Sequence, residues 1–226
     1  LLESPADILK KTWQDREIDG YSLAVSDFKR GRTDRESYFN LFLNRGGRLS
    51  AKPVVQGLFF MGRGDYIKPW LEFRYMPRVE LGEGEEVDLV NTGLTDRLFS
   101  VLAELIPPGG SMMVIYGAEP HPLLKDTEKG LKRNFPPAVT PLGHHLWRAG
   151  FRWYKDWYFP EGWMEGGMKL QATIPLDDYI RRERERKTLD ELEEFMRDLE
   201  GRPPTSLERD ALSRAEDIMA SLTAST

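Results

Sequence analysis

Two adjacent histidines, His144 and His145, are the side chains here best suited to moving a proton near neutral pH. They follow Thr140-Pro141, an N-cap and first-turn proline for a short helix that Gly150 ends. On that helix His145 stands three residues after Leu142 and four before Ala149, so it leans toward the core, whereas His144 faces solvent. Adjacent helical positions point apart, which makes the pair a poor chelate. Glu161 and Glu165 flank a Gly-rich turn, where they serve as acid or base or simply solvate the loop. With three histidines and no cysteine, soft ligands are scarce and no metal is expected. The chain has no Gly-x-Ser-x-Gly elbow, P-loop or His-Glu-x-x-His.

Aromatic residues concentrate in the same region. Trp147, Trp153, Trp157 and Trp163 are four of the six tryptophans. Along Phe151–Phe159, Phe151, Trp153, Trp157 and Phe159 share one face of a strand, and Arg152, Tyr154, Asp156 and Tyr158 share the other. Such a strand either turns one face into the core or walls an aromatic pocket.

The elements that must hold these residues can be read from periodicity. A helix is expected over Ala6–Arg16 and short strands at Tyr21–Val25 and Val87–Val90. Ser37–Leu43 fits strand or helix. Val54–Phe60 and Trp70–Tyr75 read as an antiparallel hairpin across Gly62-Arg63-Gly64-Asp65. Leu94, Leu98, Val101, Leu102, Leu105 and Ile106 form a helical stripe that Pro107-Pro108-Gly109-Gly110 ends. Met112–Tyr116 reads as a strand buried on both faces, Leu123–Phe135 as a helix, and Phe151–Phe159 and Lys169–Ile174 as the last strands.

Beyond Pro175-Leu176 the composition changes. Residues 177–226 carry a net charge of −5, the whole chain's excess, so residues 1–176 balance. The expected division is an α+β domain over 1–176 and an amphipathic helical hairpin over 177–226. Thr188-x-x-Glu191 and Thr205-x-x-Glu208 are capping-box patterns, each followed by an apolar stripe, and Gly201 with Pro203-Pro204 separates them. The stripes pack either on their own domain or on a second copy, as a homodimer through the C-terminal helices. The alternating charges of Arg181–Lys187 read as a solvated helix face.

Composition narrows function by exclusion. A net charge of −5 argues against nucleic acid as a partner. No apolar run approaches the ~18 residues that span a bilayer, so no membrane partner is expected. The first residues lack the basic and apolar regions of a signal peptide, which implies a cytoplasmic protein. Asn and Gln together occur only seven times, a depletion seen in thermostable proteins.

Strand, helix, strand, helix, strand, strand after an antiparallel hairpin resembles the GNAT acyltransferase superfamily over roughly residues 20–175. The run Thr140–Gly143, Gly150–Tyr158, Glu161-Gly162 and Lys169–Gln171 also resembles an uncharacterised prokaryotic family associated with that superfamily. The resemblance implies a mixed central sheet flanked by helices, with the pantetheine of an acyl-CoA between two splayed strands. It implies acetyl-CoA or another acyl-CoA as cosubstrate and a small-molecule or protein amine as acceptor. The CoA pyrophosphate would sit on Asn91, Thr92, Gly93, Leu94 and Thr95, although that turn has one glycine and no leading Arg or Gln. Glu86 and Asp88 would lie on the strand that carries the general base, and Tyr116, Tyr154 and Tyr158 are the nearest phenol donors. Two other readings stand beside it. One is a noncatalytic binding or assembly module on the same fold. The other is a methyltransferase-like protein using S-adenosylmethionine, suggested by Leu105–Val114 and by Leu146–Phe151.

Overall fold

The computed structural model describes residues 20–30, 36–62, 68–82, 84–115, 121–158 and 169–224. The chain runs through β1 (Ser22–Arg30), β2 (Glu36–Arg45), β3 (Arg48–Leu49), β4 (Val55–Phe60), β5 (Trp70–Tyr75), β6 (Arg78–Leu81) and β7 (Glu85–Asp88). It continues with α1 (Leu94–Glu104), β8 (Ser111–Ile115), α2 (Pro122–Lys132) and α3 (Pro141–Arg148). β9 (Trp153–Tyr158), β10 (Lys169–Thr173), α4 (Asp178–Asp198) and α5 (Ser206–Thr223) complete it. The helix expected at Ala6–Arg16, together with Tyr116, Glu161, Trp163 and Glu165, lies outside the described residues.

The fold is α+β, with a mixed central sheet in the order β1-β2-β4-β5-β8-β10-β9 and β3 beside β2. Ser37–Leu43 is strand. The β4–β5 hairpin is antiparallel as its sequence implies. Among the described strands, β5 and β8 make the one parallel pair, in register from Trp70 opposite Ser111 to Arg74 opposite Ile115. Antiparallel neighbours extend the sheet on both sides.

One face of this sheet is the core. Phe39, Leu41, Leu71, Phe73, Tyr75, Met112, Val114, Leu170 and Ala172 are buried there, joined by Leu98, Phe99 and Leu102 of α1 and Leu142 and Leu146 of α3. β8 therefore alternates, because Ser111, Met113 and Ile115 are only half-buried. On β9 the inward residue is Tyr154, whose hydroxyl donates to the Gly143 carbonyl at 2.5 Å. Trp153 is exposed and lies under the Arg184 guanidinium. Phe151 and Tyr154, which the sequence reading puts on opposite faces, both pack on the core. A parallel doubly wound sheet, which the methyltransferase reading requires, is not what these strands form.

Thr140 caps α3 as expected, accepting from the Gly143 N–H at 3.3 Å. Glycine at 143 is a steric requirement, since a Cβ there would lie 1.8 Å from the Pro137 carbonyl oxygen.

The C-terminal helices depart from the sequence reading at one end. α4 starts at Asp178, with Asp177 accepting from the Ile180 N–H at 2.8 Å. Thr188 is therefore a buried interior residue and caps nothing. α5 starts where expected, with a reciprocal capping box between Thr205 and Glu208. Leu192, Phe195, Leu199, Ala211, Ala215 and Ile218 bury against Phe135, Ala138, Val139 and Trp147 of the main body. The apolar stripes thus cover their own chain. Arg152 fastens the junction: it lies over the Trp147 ring at 4.2 Å and its Nε donates to Glu185 at 2.8 Å.

Candidate active site

The strands of the parallel pair each lead, through an intervening segment, into a helix. After β5 the chain makes the β6–β7 hairpin and then enters α1; after β8 it enters α2. The turn before α1, the N-terminal parts of α2 and α3 and one face of α5 surround a cleft of about 430 Å³. Arg78, Asp88, Asn91, His121, His145 and Arg214 are among its lining residues. His144 lines it too, so all three histidines of the chain open on one cleft. Clefts at the carboxyl ends of parallel strands are common ligand sites because helix N-termini gather there.

Asp88 organises the turn between β7 and α1. Its Oδ1 accepts from the backbone N–H groups of Val90 (3.0 Å) and Asn91 (3.2 Å). Its Oδ2 accepts from the Asn91 side chain at 3.0 Å, and His121 Nε2 lies at 3.3 Å. Arg78 adds a longer contact of 3.5 Å. Burial pushes the Asp88 carboxyl up, but the bonds from Asn91, His121 and Val90 outweigh it and hold it below its usual range. His121 Nδ1 accepts from the Leu123 N–H at 3.2 Å, so the ring's proton is on Nε2, directed at Asp88.

The rest of the turn closes on itself. The N–H groups of Thr92, Gly93 and Thr95 donate to the carbonyls of Asp88, Val90 and Leu89. The Thr92 hydroxyl donates to the Asp88 and Leu89 carbonyls. Gly93 takes the left-handed conformation, φ 72°, that the turn into α1 needs. Leu94 is buried in the core. Thr95 is fully buried, and its hydroxyl shares a 2.6 Å hydrogen bond with Tyr75, whose phenol burial pushes up. The anion in this turn is thus the protein's own Asp88 carboxylate.

Other sequence-derived residues are spread out. Glu86 is exposed beside Arg78 at 3.3 Å. Its strand, β7, belongs to a separate two-stranded sheet with β6, so neither Glu86 nor Asp88 lies on a strand of the central sheet. The central strand beside β8 is β5. Its carboxylate is Glu72, half-buried and paired with Lys169 of β10 at 2.8 Å. Tyr158 ends β9, where its backbone pairs with Lys169.

Two histidine–aspartate pairs escaped the sequence reading. His145 Nδ1 lies 2.5 Å from Asp96 Oδ1 on α1, and Arg148 holds the other Asp96 oxygen at 2.8 Å. Burial pushes the Asp96 carboxyl up, but His145 and Arg148 bring it below its usual range. His144 is half-buried as well, not solvent-facing, because its Nε2 meets Asp217 of α5 at 2.9 Å. Partners 49 and 73 positions apart leave no local spacing to read. Among the described residues no group of three or more metal-ligating side chains is placed to hold an ion, and no helix is long and apolar enough to cross a membrane.

Residues 19–199 match the family model described as a protein of unknown function, DUF1122. The chain belongs to the DUF1122 family. A crystal structure of a protein of unknown function from Aquifex aeolicus VF5 superposes with a TM-score of 0.67 at 23% identity. The match covers 98% of this chain and 100% of that one, and it shows a common fold. No curated protein matches. The DUF1122 sheet, with one parallel pair between antiparallel arms, is broadly compatible with GNAT-like architecture.

Proposed function

We propose that the chain is an acyl-CoA-dependent N-acyltransferase acting on a small-molecule or protein amine. The observation that carries this reading is the β5–β8 parallel pair: α2, which follows β8, begins at the cleft, and the turn that leads into α1 lines it. Such a pair offers strand amides to polarise a thioester carbonyl where the sheet ends, and helix N-termini beside it favour a phosphorylated cosubstrate. The acceptor amine attacks the thioester directly. Asp88 enters this reading as the group that shapes the turn, since its oxygens are already engaged. Glu86, exposed and paired with Arg78 at 3.3 Å, stands beside a residue of the cleft lining.

A thermal-shift titration with acetyl-CoA, with S-adenosylmethionine as the competing ligand, tests the proposal. At ligand about 100-fold above Kd, linkage gives about 2.7 kcal/mol of stabilisation, a shift of roughly 5–10 °C for a chain of this length. A shift with acetyl-CoA alone supports acyl transfer, and a shift with neither ligand sinks it. If the Asn91–Thr95 turn holds the pyrophosphate, replacing Asn91 and Thr92 with alanine lowers acetyl-CoA affinity. Unchanged affinity removes the turn from the donor site.

One observation favours the second reading, a noncatalytic binding or assembly module: the turn that would seat CoA is closed on Asp88. Sedimentation of the whole chain tests the assembly arm. A dimer through the C-terminal helices has to use their outer faces, because the apolar stripes are already covered.

A further inference from the structure

The three histidines of the cleft differ in what their ring nitrogens do. Both nitrogens of His121 are engaged, by the Leu123 N–H and by Asp88. His144 gives Nε2 to the exposed Asp217 on α5. His145 gives Nδ1 to Asp96, a carboxylate that Arg148 fixes from its other oxygen. An ionised carboxylate accepts only, so Nδ1 carries a proton, and in the neutral ring the lone pair is then on Nε2. Among the described residues Nε2 has no hydrogen-bond partner, and it is not a buried, unpaired atom. The ring stands edge-on to Phe99, with centroids 6.3 Å apart at 90°, which fixes its orientation on the cleft wall. An aspartate, a histidine it orients and an Nε2 without a partner among the described residues are the parts of a general base.

The same cleft carries a cation with donors to spare. Arg214 of α5 donates Nε to the Val139 carbonyl at 2.6 Å, which anchors the guanidinium, and among the described residues its two terminal nitrogens have no hydrogen-bond partner. Asp126 and Asp210 lie on the same lining. A positive group near two carboxylates suits a ligand that carries both signs of charge.

We propose that His145, oriented by Asp96, is the proton acceptor of this cleft, and that its substrate is a small amine bearing a carboxylate, which Arg214 holds. The chemistry rests on the acyl-transfer reading. The amine lone pair forms a C–N bond at the thioester carbonyl, the C–S bond breaks with its electron pair leaving on the CoA thiolate, and the nitrogen's proton passes to Nε2. His145 is the catalytic residue and Asp96 a positioning residue.

Three histidines make the rings tractable by ¹⁵N NMR on the whole chain, with H144Q and H145Q for assignment. At pH 8.5 His145 is expected as the Nδ1–H tautomer, lost in D96N and kept in D96E. An Nε2–H tautomer in the wild type overturns the dyad. The proteinogenic amino acids, added singly, are the ligand probes. At least one is expected to move the His145 Nε2 resonance, with the response weakened about tenfold in R214Q and less in R214K. If none moves it, the substrate class is wrong. H145Q is expected to bind acetyl-CoA as the wild type does while CoA release with the responding amino acid falls ~100-fold or more; undiminished release overturns the role of His145. Calorimetry with acetyl-CoA on the wild type judges the donor separately. Donor binding with an unresponsive His145 defeats this proposal alone, whereas a responsive His145 without donor binding defeats the acyl-transfer reading alone.

Discussion

The Tyr75–Thr95 pair offers a test of what the β7–α1 turn is for. Both side chains are buried, Tyr75 at 1% and Thr95 at 0% exposure, and their hydroxyls meet at 2.6 Å. Tyr75 also packs edge-to-face on Phe99, with ring centroids 5.1 Å apart, so Y75F keeps the packing and removes one hydrogen-bonding group. The hydroxyl left behind then has neither water nor a partner, which costs about 1–3 kcal/mol. T95V, nearly isosteric, strands the phenol instead at a similar cost. The double variant removes both groups from the same spot, so its loss should be no larger than that of either single. The coupling is then at least the cost of one single, about 1–3 kcal/mol in favour of the pair. Urea unfolding of the four proteins measures it, with midpoint and slope fitted separately. A double variant whose loss equals the sum of the singles would refute the reasoning. T95V should also leave acetyl-CoA affinity unchanged, because no atom of Thr95 faces the cleft as a free donor; a drop in affinity returns Thr95 to the donor site.

Replacing Gly143 with alanine sets a methyl against the Pro137 carbonyl. The expected loss is roughly 1–3 kcal/mol, read by chemical denaturation, and an unchanged midpoint would show that the 137–143 turn yields freely. Acid should act in two windows. Burial lowers His144 below its usual 6.5, despite the opposing effect of Asp217, so its share of stability is present above that pH and lost as pH falls below it. H144Q should flatten the melting curve's pH slope near pH 6, and an unchanged slope counts against this. The Arg202 guanidinium and the Thr205 N–H hold the Glu208 carboxyl down to about 2, so its share is full above 4.5 and lost toward 2. E208Q should therefore melt lower than wild type at pH 7 and converge with it near pH 2; a constant gap across that range counts against the pairing. A fragment ending at residue 176 uncovers Phe135, Ala138, Val139 and Trp147, and should bind an apolar dye such as ANS or precipitate. A fragment that stays soluble and dye-free would show that the hairpin is dispensable.

What the sequence determined was local. The Thr140-Pro141 start of α3 and the Thr205–Glu208 capping box are each set by residues within a few positions of one another, the β4–β5 hairpin by partners no more than 20 apart, and each forms as its sequence implies. Caps and turns depend on nearby backbone groups, so their signals survive in one dimension. The start of α4 is not legible locally, because Thr188-x-x-Glu191 has the same pattern inside a helix as at its end, and Asp177 takes the cap. The tertiary structure decided the rest. It placed β7 outside the central sheet, since strand pairing is settled by which edges meet, not by the strand's own residues. It turned Tyr154 rather than Trp153 inward, because the Gly143 carbonyl on α3 satisfies the phenol while Arg184 on α4 covers the indole. It also gathered three histidines on one cleft and gave each an aspartate from a distant element. Those pairings depend on helices brought together by their buried faces, and no spacing along the chain records them.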